Sequence, residues 1–191
     1  MSRQPSWGWG WVFDLLGPRA NPAREQTTVI GARSPEFAKI MAEALAELGT
    51  GHSYVVHGVL AGGGGLDEVS TTGSTEVYEV WTGRVEKMVW MPEDFGVPRV
   101  SLDALAGGDA ADNAKIALEL LRGMRGPKRD IVLVNAAAGL MAAGLAATPH
   151  DAMARAAEAI DSGRARAASR GRPPDTGRLR CTSSTRHRPR G

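Results

Sequence analysis

Cysteine is all but missing: Cys181 is the only one in 191 residues. No intrachain disulfide can form and no cysteine-based zinc site can be assembled, which agrees with a reducing compartment. Long apolar runs are missing too. The longest candidate, Ile131 to Ala147, is mostly alanine and glycine and too small-sided for a membrane span, so no transmembrane segment is expected. The opening Met-Ser-Arg-Gln-Pro-Ser lacks the apolar core and small-residue cleavage site of a secretory leader, and the cytoplasm is the expected location. Histidine is scarce. His52, His57, His150 and His187 are scattered, so no catalytic triad can be argued from them. His57, at the end of an apolar strand with no partner at metal-ligand spacing, reads as a core or strand-end histidine.

What is present describes a folded body. Apolar residues make up 42% and charged residues 23%, the balance of a globular domain. The net charge of +2 hides an asymmetry. Residues 1–163 hold 14 Lys plus Arg against 20 Asp plus Glu, whereas residues 164–191 hold 9 Arg against the single Asp175. A basic domain would point to nucleic acid; an acidic body with an arginine-rich appendix does not. That appendix, from Arg164 onward, has almost nothing apolar and is expected to be disordered. Residues 1–12, with Trp7, Trp9 and Trp11 spaced by glycines, show no periodicity and form a separate N-terminal segment. The domain is therefore expected over residues 13–163.

Within that domain strands and helices alternate. Thr27 to Ala32 suits a strand, and Ser34-Pro35-Glu36 then supplies a cap, a first-turn proline and a first-turn acid. Phe37, Ile40, Met41, Ala44, Leu45 and Leu48 recur at helical spacing, and Gly49 closes the helix. Ser53 to His57 is a short buried strand. Glu76 to Trp81 and Arg84 to Trp90 form a hairpin around Thr82-Gly83, with Trp81 and Trp90 as packing residues. Asp109 caps a helix over Ala110 to Arg122, whose stripe is Ala114, Ala117, Leu118 and Leu121. Thr148-Pro149 opens another helix, lined by Met153, Ala156, Ala157 and Ile160 and ended by Gly163. Asp130 to Ala147 is ambiguous: Ile131-Val132-Leu133-Val134 suits a buried strand or the start of a buried helix.

A series of short motifs runs through this body in order. Phe13-Asp14-Leu15-Leu16-Gly17-Pro18 and Asn21-Pro22-Ala23 come first, then Gly31 with Ser34-Pro35-Glu36, and Val55-Val56-His57-Gly58. Gly65-Leu66-Asp67-Glu68, Asp94-Phe95-Gly96, Gly107-Gly108-Asp109-Ala110, Gly126-Pro127-Lys128-Arg129-Asp130 and Asn135-Ala136-Ala137 follow. Together they resemble the carboxyl-terminal half of the anthranilate phosphoribosyltransferases. The resemblance implies an α/β fold, the sheet-containing domain shared with pyrimidine nucleoside phosphorylases, without its helical subdomain. It also implies a helix over Arg129 to Ala143, which periodicity leaves open. The implied reaction joins the amine of anthranilate to C1 of phosphoribosyl pyrophosphate, in tryptophan biosynthesis. Family members act as homodimers through the helical part.

Asp67 and Glu68 follow the glycine stretch Gly62 to Gly65, where neighbouring side chains need not alternate as in a strand. On spacing alone such a pair is usually a solvated turn. The resemblance makes it the Mg²⁺ site, which suits an ion that takes one or two carboxylates plus substrate phosphates and waters. By the same resemblance Gly17 and Pro18 line the anthranilate pocket, where the bare alternative is a simple turn. Gly107-Gly108-Asp109 invites comparison with a phosphate loop, but the family's donor loop lies elsewhere and Asp109 reads as a helix cap. No match exists to the family's Gly-Thr-Gly-Gly-Asp and Asn-x-Ser-Thr donor segments, and Gln4 to Trp11 stand where the family has Arg-Arg-Glu-Leu-Gly-x-Arg-Thr. The expectation is a frame-shifted reading frame at both ends and a chain without turnover of its own. Two alternatives stand beside it: a noncatalytic gene fragment, and a nucleic-acid binder acting through the basic tail.

Overall fold

The computed structural model describes residues 27–60 and 64–171. Gly17, Pro18, the first three tryptophans, Gly62, Gly63 and residues 172–191 lie outside the described residues.

Five strands form one mixed sheet: β1 (Thr28–Gly31), β2 (Ser53–Val59), β3 (Gly65–Leu66), β4 (Thr75–Trp81) and β5 (Arg84–Trp90). The order is β1-β2-β4-β5, with β1 parallel to β2 and the β2–β4 and β4–β5 pairs antiparallel. The two-residue β3 also pairs with β2, antiparallel, through Gly58↔Leu66 and Val59↔Gly65. Since β4 occupies one edge of β2 from Ser53 to Gly58, β3 sits on the edge that β1 uses, just beyond the end of β1.

Side-chain alternation divides the sheet into two covered faces. On one, Val55, Tyr78 and Val80 pack against Phe37, Ala38, Met41, Ala42 and Leu45 of α1 (Pro35–Glu47). The expected cap is in place, since Ser34 accepts a hydrogen bond from the Phe37 amide and Pro35 opens the helix. Ile40 and Leu48, assigned to the apolar stripe, are instead about half exposed. On the other face Tyr54, Val56, Val77 and Trp90 meet Val134, Ala137, Ala138 and Ala142 of α3 (Pro127–Ala142) and Ala152 of α4 (Pro149–Asp161). The ambiguous segment is therefore a helix, as the family resemblance implies. Pro127 sets its first turn, and its alanines let it lie close to the sheet. Arg129, 1% exposed, reaches Asp161 at 2.8 Å and ties the start of α3 to the end of α4.

Three expectations need correction. The helix α2 (Ala110–Leu120) exists and Asp109 caps it through the amides of Ala111 and Asp112, but it buries only Leu120. Ala114, Ala117 and Leu118 of the proposed stripe face outward. The stretch from Arg164, expected to be disordered, begins with an ordered helix, α5 (Arg164–Gly171). Alanine and arginine are strong helix formers, and Ala165 packs on the Leu133, Ala156 and Ile160 cluster, contributions that a tally of large apolar residues overlooks. Trp81 and Trp90 stand at opposite ends of the hairpin. Trp90 is buried edge-on against Tyr54 and Phe95, whereas Trp81 is 59% exposed and lies against His52.

The hairpin closes through Trp81↔Arg84 with positive φ at both central residues, Thr82 at 49° and Gly83 at 77°, the type I′ pattern. Glycine tolerates this conformation; a β-branched threonine is strained in it. Thr82→Asn is expected to raise stability by about 1 kcal/mol, the cost of one residue held left-handed, as read by urea denaturation.

Candidate functional site

Gly65, the acidic pair that follows it and the motif Val55-Val56-His57-Gly58 come together at the end of β2. His57 is buried on β2, and its Nδ1 lies 2.7 Å from the carbonyl oxygen of Ala32, at the turn from β1 into α1. A carbonyl only accepts, so Nδ1 carries the proton and donates. The expectation of a strand-end core histidine agrees with this position. The ring of His57 is also the seat of β3: a β-carbon on Gly65 would stand 2.0 Å from His57 Cε1, which only glycine avoids.

Leaving β3, the chain crosses the end of β1. A β-carbon on Gly31 would lie 1.7 Å from the carbonyl oxygen of Asp67, so the backbone of the acidic pair rests directly on β1. Asp67 is exposed and borders a cavity of about 230 Å³, shared with Ile30, Gly31, Arg33, Phe37 and Met41. Glu68 is half-buried, and its Oε2 accepts a hydrogen bond from Asn135 of α3. Burial, and then the neighbouring charge of Asp67, push the Glu68 carboxyl above its ordinary value of 4.5. Asp67 lies beside residues of α1 and Glu68 meets Asn135 of α3, and as carboxylate oxygen donors they are of the type a hard divalent cation takes. Among the described residues no third histidine, cysteine or carboxylate joins them in a metal-ligating group. For magnesium that is no obstacle, since waters and substrate phosphates ordinarily complete its shell.

The sequence reading picked out Asp67 and Glu68 and missed the work of Asn135, which it noted only within Asn135-Ala136-Ala137. The side chains of Asn135 and Glu68 meet across 67 positions of chain, and no local spacing marks such a pair.

Comparison with known proteins agrees with the sheet and the helices that cover it. A family model described as "Glycosyl transferase family, a/b domain" matches residues 9–166. The chain belongs to the glycosyl transferase family. Within it, the chain is similar to the anthranilate phosphoribosyltransferase of Anaeromyxobacter dehalogenans, 48% identical over 155 residues, covering 81% of this chain and 44% of that protein. The crystal structure of the anthranilate phosphoribosyltransferase from Thermus thermophilus superposes with a TM-score of 0.70 at 41% identity, covering 82% of this chain and 45% of that one. The Saccharomyces cerevisiae enzyme in complex with PRPP and Mg gives a TM-score of 0.64 at 27% identity, covering 74% of this chain and 40% of its own. The α/β fold and the family resemblance read from the motifs are thus borne out. The chain spans less than half the length of each of these relatives. Among its described residues no helix is long and apolar enough to cross a membrane.

Two outcomes follow from the packing and charge of this corner. Gly31→Ala is expected to cost about 1–3 kcal/mol, the usual penalty of overpacking, in urea denaturation, because the Asp67 carbonyl must move. Glu68→Gln is expected to stabilise the fold at neutral pH. A carboxyl whose pKa is raised on folding disfavours the folded state once both states are ionised, and this penalty fades as pH falls through the raised value toward 4.5. The gain stays below about 1 kcal/mol, since solvent screens a half-exposed group, and melting temperatures of the two proteins should converge in acid.

Proposed function

We propose that this chain carries the metal-binding part of an anthranilate phosphoribosyltransferase site, whose donor segments have no match in its sequence. The observation that bears most weight is the adjacent Asp67 and Glu68, locked against Gly31, in a chain whose curated relatives carry that name. In the proposed reaction the amine of anthranilate forms a bond to C1 of the ribose while the bond from C1 to the pyrophosphate oxygen breaks. Magnesium, when bound, neutralises the charge gathering on the departing diphosphate. Asp67 and Glu68 would hold it. Phosphate oxygens of the substrate and water would complete its coordination. Gly17 and Pro18 are proposed to form the wall for the aromatic ring, proline giving a rigid apolar surface and glycine the space beside it.

The test is calorimetric titration of the full chain with magnesium pyrophosphate. The unaltered chain is expected to bind it, and Asp67→Asn or Glu68→Gln is expected to weaken binding at least tenfold, the scale seen when groups around a metal are removed. Binding unchanged by both substitutions would place the diphosphate elsewhere and end this reading.

A further inference from the structure

We propose that Asn135 is a positioning residue for the metal-binding carboxylate: its amide holds the Glu68–Val69 backbone and orients Glu68 toward the cation. This rests on the reading of Asp67 and Glu68 given above. Asn135 lies midway along α3, and its side chain is directed at the loop segment that follows the acidic pair. Asn135 Oδ1 accepts the Val69 amide at 2.9 Å, and Nδ2 donates to the Val69 carbonyl at 2.9 Å. Nδ2 also lies 3.0 Å from the Ile131 carbonyl one turn earlier and 3.3 Å from Glu68 Oε2.

The direction of the amide is not arbitrary. Turning it over would set an NH₂ group against the Val69 N–H and an oxygen against the Val69 carbonyl, so both short bonds require the orientation described. One side chain thereby satisfies both backbone polar groups of Val69, as a neighbouring strand would. Val69 is 1% exposed and has no pairing in the sheet, so the Asn135 amide is its substitute for a ladder partner. Two hydrogens serve three acceptors, and the bond to Glu68 is the longest. It adds direction to a carboxylate whose backbone is already held one residue away. Outer groups of this kind characteristically orient metal ligands. Asn135 touches neither the proposed cation nor the substrate and acts through Glu68.

A double-mutant cycle on the full chain tests this, with Mn²⁺ alone as the probe and free Mn²⁺ read by electron paramagnetic resonance. Asn135→Ala is expected to weaken Mn²⁺ binding about tenfold. Added to Glu68→Gln, it is expected to cause little further loss, because the group through which it acts is already gone. Equal losses in both backgrounds would show a general structural role and overturn the proposal, as would unchanged binding in Asn135→Ala. If Glu68→Gln itself leaves Mn²⁺ binding intact, the metal reading of the acidic pair fails, and this inference with it. Should Asn135→Ala fail to fold by circular dichroism, Asn135→Ser goes through the same cycle. Its hydroxyl can return to the Ile131 carbonyl but stops short of Glu68.

Discussion

A carbonyl oxygen resting where a β-carbon would otherwise stand governs this corner of the protein. β1 and β3 share one edge of β2, the first pairing from Ser53 to Val56 and the second at Gly58 and Val59. The chain leaving β3 must therefore pass over the end of β1, and Asp67 does so in contact with Gly31. His57 fills the space beneath Gly65 and bonds to the turn that follows β1. Glycines on two strands and an imidazole between them leave the backbone of Asp67 little freedom. The place of the acidic pair is thus set by packing, before any ligand is considered.

The electrostatics of Glu68 run against the fold rather than with it. Glu68 is half-buried beside Asp67, and both influences work against its ionised form. A surface optimised for stability would separate these charges or give each a cation. Instead Glu68 meets a neutral amide, Asn135, which supplies direction without cancelling charge. Unfavourable charge held in a rigid setting is a common mark of a binding site, because an arriving cation relieves what the fold cannot.

Much of this architecture is legible in the sequence, and the reasons differ by element. The α1 helix is announced by Ser34, Pro35 and its apolar spacing, and the hairpin by alternation around Thr82-Gly83. Both signals are local. α3 is not legible from periodicity, because a helix buried along an alanine-rich face looks like a strand core where it begins with Ile131-Val132-Leu133-Val134. Only the wider motif pattern separates the two. The outward-facing stripe of α2 shows the opposite failure: helical spacing predicts a helix well but not whether another element covers it. α5 was missed because the residue it packs on the Leu133, Ala156 and Ile160 cluster is small, Ala165. The acidic doublet was visible as residues. Its support was not, since the bonds from Asn135 cross from a helix to a segment far back in the chain.

That support also explains why one helix serves two purposes. Val134, Ala137 and Ala138 are buried against the sheet, so they set the rotation of α3 about its axis, and the Arg129–Asp161 pair anchors its first turn. Once that rotation is set, Asn135 stands at the rim of the buried face, one position round from Val134. A polar residue deeper in the face would cost desolvation, and one farther out would reach only solvent. The rim is where an amide can span the gap to the loop at Val69 and still approach a carboxylate. Core packing therefore controls the geometry of the acidic corner through the angular setting of a single helix.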